Sequence, residues 1–151
     1  MIYVTGFFGA PIMATAEKIA KEKGLPLIDL DGEIQAKDGR TIKRLVMMHG
    51  EHGYRNQEFE MLSMLEQNHG SSGAVVACGD GVLHDEDSRE IISRGQLVVV
   101  GDDIPADELW ANACEMTETY HAFMSFGNAE EKRAKFDELI ERQKILFGGM
   151  K

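Results

Sequence analysis

A glycine-containing stretch near the start of the chain has the local context of a phosphate-binding loop. The apolar run at residues 2–5 predicts a strand, and residues 16–23 predict a helix. Between them lies the loop, residues 6–15, with the sequence GFFGAPIMAT. A strand, a glycine-containing loop and a helix in this order can point backbone N–H groups and a helix N-terminus at phosphate oxygens. The backbone pattern therefore favours an anion-binding loop.

The side chains of this loop differ from those that phosphate binding normally uses. The pattern G-x-x-x-x-G-K-S/T supplies a lysine for the phosphates and a hydroxyl group that ligates Mg²⁺. Gly6 matches the first glycine, but Pro11 stands at the second glycine, Ile12 at the lysine and Met13 at the hydroxyl residue. No cofactor is therefore expected. The loop is predicted to form a weak anion site at most. Its residues would be Gly6, Gly9, Ala10, Ile12 and Met13.

Composition and charge narrow the class of protein. The 151 residues suit a single domain, residues 1–151, with an ordinary 43% hydrophobic and 28% charged content. The formal net charge of −10 argues against nucleic acid and against anionic membranes as partners. No apolar run approaches the roughly 20 residues of a membrane span, and the N-terminus does not resemble a signal peptide. Cys78 and Cys114 are expected to be reduced thiols, so a cytoplasmic protein is predicted.

Strand and helix patterns alternate along the chain. Strands are predicted at residues 2–5, 25–29, 74–78 and 97–100. Helices are predicted before Gly24, from Asp31 to Asp38, from Thr41 to His49, from Gly53 to Asn68, from Asp85 to Ser93, from Pro105, and through Phe136 to Leu146. This alternation predicts an α/β fold, a three-layer parallel sheet with helices on both faces. Ligands of such sheets bind at the carboxyl ends of the strands, so Gly6, Asp29 and Gly79 should converge on one crevice.

Several short motifs follow one another along the chain. They are residues 6–10 (GFFGA), residues 29–31 (DLD) followed by Glu33-Ile34, residues 50–58 (GEHGYRNQE), residues 79–81 (GDG), and Arg94-Gly95 before a valine-rich strand. This series resembles the shikimate kinase family, and the string G-E-x-G-[FY]-R-x-x-E is its most specific part. The resemblance covers residues 1–101 and, less closely, the last helix. It implies a P-loop kinase-like α/β fold and a transferase activity in which ATP phosphorylates the 3-hydroxyl of shikimate.

The resemblance also implies roles for individual residues. Asp31 would be the catalytic residue, because it would contact the substrate hydroxyl and help to position or deprotonate it. Arg55 would hold the substrate carboxylate, joined by Arg142, since an arginine fork matches a carboxylate. Gly79 and Gly81 would let the backbone approach the ring of the substrate, or they would serve only a tight turn after the strand.

Other parts of the chain depart from what the resemblance implies. The family folds an arginine-bearing lid over the nucleotide, whereas the matching segment around residues 115–121 has no lysine or arginine. Asp80 replaces a middle glycine and adds a negative charge beside an anion site. The chain ends at Lys151, before the family's last strand and helix. Together with Ile12 and Met13, these differences predict that ATP is not bound productively.

Three functional hypotheses stay open. The first is a shikimate-kinase-like protein without productive ATP binding, which keeps part of a site for a small hydroxylated carboxylate. The second is an active kinase in which Lys18, Lys43 or Arg44 reaches the phosphates, ATP and Mg²⁺ are the cofactors, and Asp29 lies near the metal. The third is a non-catalytic binding or assembly module, including a homo-oligomer.

Three of the candidate site residues also have a purely structural interpretation. Asp31 could cap the helix that follows it, as aspartate often does. Arg55 could form an ordinary surface pair with Glu51 or Glu58. Arg142 could be a solvated charge on the last helix. The sequence alone does not choose between these interpretations and the functional ones.

Overall fold

The computed structural model describes residues 1–150, which form a four-stranded parallel sheet surrounded by helices. The strands are β1 (Ile2–Gly6), β2 (Leu27–Asp29), β3 (Val75–Ala77) and β4 (Gln96–Val100). The helices are α1 (Ile12–Lys23), α2 (Leu30–Asp38), α3 (Ile42–His69), α4 (Glu86–Ser93), α5 (Ala106–Glu115) and α6 (Ala129–Gly148), with 3-10 helices at Val82–His84 and Ala122–Ser125. The strand order is β2-β3-β1-β4, and every neighbouring pair is parallel. None of the helices within residues 1–150 is long and apolar enough to cross a bilayer.

Both faces of the sheet are buried, because successive side chains of a strand point to opposite sides. On one face, Val4 and Val75 pack against Ala16 and Ala20 of α1. On the other face, Tyr3 joins the larger core. That core takes buried side chains from all the remaining helices, including Ile34, Leu45, Leu62, Ile92, Leu109 and Phe136. The predicted three-layer α/β arrangement is therefore confirmed, with α1 alone on one face.

The two helices predicted on either side of residue 50 are joined in α3 across a kink. Gly50 has φ 75° and ψ 173°, a backbone conformation outside the helical region that glycine adopts without a steric penalty. The helix begins where predicted, since Thr41 Oγ1 accepts the N–H of Arg44 at 3.2 Å and so caps the first turn. The part of α3 after the kink buries Tyr54 in the larger core.

Close backbone contacts explain why glycine occupies two positions of the first loop. An added Cβ at Gly6 would overlap the carbonyl oxygen of Val100 on β4, and one at Gly9 would overlap the carbonyl oxygen of Leu109 on α5. Gly9 also has φ 93°, in the left-handed region that favours glycine. Pro11 is the residue just before α1, so the helix begins earlier than the predicted residue 16. The loop is therefore held between β4 and α5.

Candidate functional site

A cleft of about 770 Å³ lies at the carboxyl ends of β1, β2 and β3. Its walls are residues 7–14 after β1, Asp29 at the end of β2 and residues 77–80 at and after the end of β3. The first half of α2, the start of α3, the end of α5 and the segment that follows α5 complete the lining. The crevice predicted from the strand ends is therefore present, and Asp29 and Gly79 both line it, while Gly6 lies in β1 just before the lining residues.

The backbone of the first loop uses most of its donors inside the protein. Five N–H groups donate to protein oxygens: Phe7 to Val100 O (3.0 Å), Phe8 to Gln143 Oε1 (3.1 Å), Ala10 to Phe7 O (2.9 Å), Ile12 to Ala10 O (2.9 Å) and Thr15 to Pro11 O (3.1 Å). Pro11 has no N–H to offer. An anion in this part of the cleft would therefore meet only the remaining backbone donors, chiefly Gly9, Met13 and Ala14, and the apolar side chains of Ile12 and Met13 line the same wall.

The cleft is acidic. Its carboxylates are Asp29, Asp31, Asp80, Glu115 and Glu118. Lys43 at the start of α3 is the one lysine or arginine among the lining residues that the structure describes. Charges that share a confined site repel a ligand of the same sign more strongly than they would in open water. The lining as a whole therefore disfavours a ligand with several negative charges.

Asp31 lines this cleft and accepts a short hydrogen bond from α3. The hydroxyl of Tyr54 donates to Asp31 Oδ1 at 2.6 Å. The residue that precedes α2 is Asp29, and Asp31 lies inside the first turn, so the interpretation of Asp31 as a helix cap is wrong. Burial raises the pKa of Asp31 to about 6, although the Tyr54 hydrogen bond opposes this shift. A carboxylate with such a pKa can accept a proton from a hydroxyl group near neutral pH.

Arg55 is buried, and three oxygen atoms hold its guanidinium group. Nη1 donates to Glu58 Oε1 at 2.6 Å, and Nη2 donates to Glu51 Oε1 at 3.0 Å and to the hydroxyl of Tyr120 at 2.8 Å. The pairing with both glutamates agrees with the structural interpretation, but it is not a surface pair, because Arg55 is only 6% exposed. Arg55 is not among the residues that line the cleft, whereas Tyr120 is.

The Arg55–Glu58 pair is unusually deep for two charged groups. Burial opposes the charge on Arg55, but the Glu58 carboxylate outweighs this effect and the pKa of Arg55 lies above its ordinary value. Burial raises the pKa of Glu58 to about 7, although Arg55 opposes this shift. Within residues 1–150, Arg55 Nε and Glu58 Oε2 are buried and have no hydrogen-bond partner. The pair is therefore ionised above about pH 7 and incompletely satisfied.

At Gly79 and Gly81, the loop after β3 lies close to the side chains of Asp31, Tyr54, Arg55 and Tyr120. An added Cβ at Gly81 would overlap Arg55 Nη2 and the hydroxyl oxygen of Tyr120. An added Cβ at Gly79 would lie 3.2 Å from the hydroxyl oxygen of Tyr54 and 3.5 Å from Asp31 Oδ2. Neither glycine has a positive φ, so the turn alone does not require glycine at these positions. The close approach of Arg55 and Tyr120 excludes a larger residue at Gly81, whereas a Cβ at Gly79 would only be tight against Tyr54.

A buried polar network fixes the segment after α5 to the core. The Asp80 carboxylate accepts from Gln143 Nε2 at 2.9 Å and lies 2.8 Å from His121 Nε2. Gln143 Oε1 in turn accepts the N–H of Phe8 in the first loop. Burial disfavours the charge on Asp80, but His121 and Gln143 outweigh it and hold the pKa of Asp80 below its usual range. The negative charge expected beside an anion site is therefore present in the cleft wall but is engaged by two protein groups.

Arg142 lies on an exposed part of α6 and does not line the cleft. Arg142 and Arg55 nonetheless both act electrostatically on His84. Partial burial lowers the pKa of His84, and the charges of Arg55 and Arg142 lower it further. The structure thus brings together Asp31, Gly79, Gly81 and Arg55, while the role of Arg142 in binding a substrate stays a prediction.

The parallel β2-β3-β1-β4 sheet, the loop between β1 and α1, and the cleft at the strand ends define an α/β protein of the P-loop kinase fold. The family model for shikimate kinase matches residues 14–146. A curated shikimate kinase from Bacillus cytotoxicus is 30% identical over 145 residues, which are 92% of this chain and 84% of that protein. The chain therefore belongs to the shikimate kinase family, as the motif order indicated.

Solved structures agree with this assignment. The chain is similar to shikimate kinase from Bacteroides thetaiotaomicron, with a TM-score of 0.80, 23% identity and coverage of 97% of this chain and 81% of that one. It is also similar to shikimate kinase from Acinetobacter baumannii in complex with shikimate, with a TM-score of 0.77, 26% identity and coverage of 98% and 78%. At 23% identity, the similarity to the Bacteroides thetaiotaomicron protein supports the fold alone.

Proposed function

We propose that this member of the shikimate kinase family binds a small hydroxylated carboxylate of the shikimate type beside Asp31 and does not use ATP productively as a phosphoryl donor. The observation that carries the proposal is the contrast between the two sides of one cleft. The loop side presents apolar side chains and mostly occupied backbone donors, while Asp31 and Gly79, to which the resemblance gives a role in substrate binding, line the other side.

The loop side does not fit ATP with Mg²⁺. Phosphoryl transfer depends on cations and donors placed around the phosphates and on a held metal ion. Ile12 and Met13 supply neither, and each charge-assisted hydrogen bond that is absent forgoes about 1.5–3 kcal/mol. The five carboxylates of the lining add repulsion to this deficit. We therefore assign no phosphoryl-transfer step to the site.

The substrate side supports a hydroxylated ligand. Tyr54 occupies Asp31 Oδ1, and Oδ2 of the same carboxylate lies towards Gly79, where the absence of a side chain leaves room. A ligand hydroxyl can donate to this second oxygen. The guanidinium of Arg55 lies next to Gly81 and offers a permanent positive charge to a ligand carboxylate. The solved structure of the similar kinase from Acinetobacter baumannii in complex with shikimate makes shikimate the natural first ligand to test.

The experiment combines a turnover assay with a binding measurement. We expect no ADP release above background from ATP-Mg²⁺ and shikimate under conditions in which an authentic shikimate kinase turns over. We expect shikimate alone to give saturable heat in calorimetry, and Asp31→Asn to weaken this binding by at least about tenfold because a charged acceptor is lost. Asp29→Asn, an exposed carboxylate of the same cleft, is the matched control. Robust turnover would refute the nucleotide part, and absence of shikimate binding would refute the ligand part.

The position of Lys43 in the cleft wall favours a second candidate function, that of an active kinase. Of the three relocated cations considered, Lys43 lines the cleft, while Lys18 and Arg44 are exposed and do not line it. If turnover is detected, Lys43→Ala should abolish it and Arg44→Ala should not, because only the first side chain can neutralise phosphate charge inside the cleft. Equal activity of both variants would exclude this role for Lys43.

A further inference from the structure

Tyr120 occupies one donor of the guanidinium group that a ligand carboxylate would need. Its hydroxyl accepts from Arg55 Nη2 at 2.8 Å, and its ring centroid lies 5.0 Å from Arg55 Cζ. Tyr120 lines the cleft, whereas Arg55 is not among the lining residues. A ligand that enters the cleft therefore meets the tyrosine before it meets the arginine.

The contact between Tyr120 and Arg55 is chemically incomplete. Nε and Nη2 lie on the same edge of a guanidinium group, and a carboxylate can accept from both at once. The tyrosine has a single oxygen, which serves Nη2. Arg55 Nε is buried and has no partner within the part of the chain that the structure describes. A carboxylate would satisfy a buried donor that the tyrosine leaves unsatisfied.

We propose that Tyr120 is a specificity-determining residue, an internal competitor for Arg55 that a ligand carboxylate displaces. This inference rests on the proposed function, because it names the group through which Arg55 would recognise the ligand. A ligand with a carboxylate exchanges one hydrogen bond at Arg55 for two. A ligand that lacks a carboxylate cannot make this exchange and leaves Tyr120 in place, so the tyrosine selects for carboxylates.

The Tyr120 ring packs against the rings of Tyr54 and His121, with centroids 5.2 and 4.0 Å away, and the residues on either side of Tyr120 are anchored. On either side of it, Thr119 and His121 are buried, and the N–H of His121 donates to Thr119 Oγ1 at 3.2 Å. His121 also lies 2.8 Å from Asp80 Oδ2, and its ring centroid is 4.4 Å from that of Phe8. Displacement by a ligand carboxylate therefore requires the Tyr120 ring to leave its contacts with Tyr54 and His121, while the segment after α5 stays in place.

The test is a set of calorimetric titrations of wild-type protein and Tyr120→Phe with shikimate and with its methyl ester. The variant keeps the ring but removes the oxygen that competes at Arg55 Nη2. We expect Tyr120→Phe to bind shikimate about 3–10-fold more tightly than the wild type, since a competing hydrogen bond is lost. We expect both proteins to bind the uncharged ester weakly and with equal affinity. A second readout is the NMR signal of the Arg55 Nε–H, assigned with Arg55→Lys, which should shift when wild-type protein binds shikimate but not the ester.

Each outcome distinguishes this inference from the proposed function. Unchanged or weaker binding of shikimate by Tyr120→Phe, with clear binding by the wild type, overturns the competitor role and leaves the proposed ligand intact. The same gain for the ester as for shikimate also overturns it, because the effect would not concern the carboxylate. Binding by neither protein overturns this inference together with the ligand part of the proposed function.

Discussion

Replacing Glu58 with alanine is expected to lower the free energy of unfolding by about 3–5 kcal/mol, the usual cost of leaving a buried charge without its partner. Glu58 is 0% exposed and its Oε1 lies 2.6 Å from Arg55 Nη1, which makes it the closest counter-charge of a buried arginine. The remaining partners of Arg55 are the exposed carboxylate of Glu51 and the neutral hydroxyl of Tyr120. Neither replaces a buried anion. Urea denaturation at about pH 8, where the pair is ionised, measures the loss.

Glu51→Ala is the matched control for this substitution. Glu51 pairs with the same guanidinium at 3.0 Å, but its side chain is 60% exposed. Exposed ion pairs contribute about 0–1 kcal/mol, so the control should change the free energy of unfolding by no more than this. A loss of similar size in both variants would contradict the view that burial makes the Glu58 contact the important one.

Replacing Asp31 with asparagine is expected to raise the free energy of unfolding near neutral pH by about 1–3 kcal/mol. Burial raises the pKa of Asp31 from 3.8 to about 6, against the opposing hydrogen bond from Tyr54. Between these values the folded chain holds a proton that the unfolded chain has released. The stability associated with Asp31 is therefore full below 3.8 and is lost as the pH rises through about 6. Asparagine does not titrate, so the variant should escape this loss.

The measurement is urea denaturation of both proteins at several pH values between about 4 and 8. The curves should lie close together at the acid end and separate as the pH rises, with the variant more stable. Glu58 faces Asp31 and is affected by burial in the same direction, so the comparison is made between the two proteins at each pH. Asp29→Asn, at the exposed residue just before α2, should change the free energy of unfolding by less than about 0.5 kcal/mol. A constant difference between wild type and Asp31→Asn at all pH values would exclude titration of Asp31 as the cause.

The fold could be predicted from the sequence because its signals are local. The apolar run around Val75 predicts a buried parallel strand, and α1 ends before Gly24 as predicted, with this glycine in a left-handed conformation. The interruption at Gly50 was also predicted, although the helix continues after the kink. Strand β2 is shorter than residues 25–29, since only Leu27–Asp29 pair with β3. Boundaries of this kind depend on pairing partners that the local sequence does not contain.

The site could be predicted only in part, because several of its contacts join residues that are far apart in the chain. Asp31, Arg55 and Gly79 belong to motifs that can be recognised locally. The contact of Arg55 with Tyr120 spans 65 residues, and the hydrogen bond from Phe8 to Gln143 spans 135. In the segment around Tyr120, the lack of lysine and arginine was a sequence signal, but it did not predict a contact with Arg55. For Gln143, a polar residue within the apolar stripe of α6 was a usable signal.

The central claim is that the loop side of the cleft cannot hold a triphosphate against the surrounding negative charge. Calorimetric titration of ATP-Mg²⁺ into the wild-type protein at physiological ionic strength tests this most directly. We predict no saturable heat up to about 1 mM nucleotide, which corresponds to a binding free energy weaker than about −4 kcal/mol. Saturable binding with a dissociation constant in the micromolar range would contradict the claim.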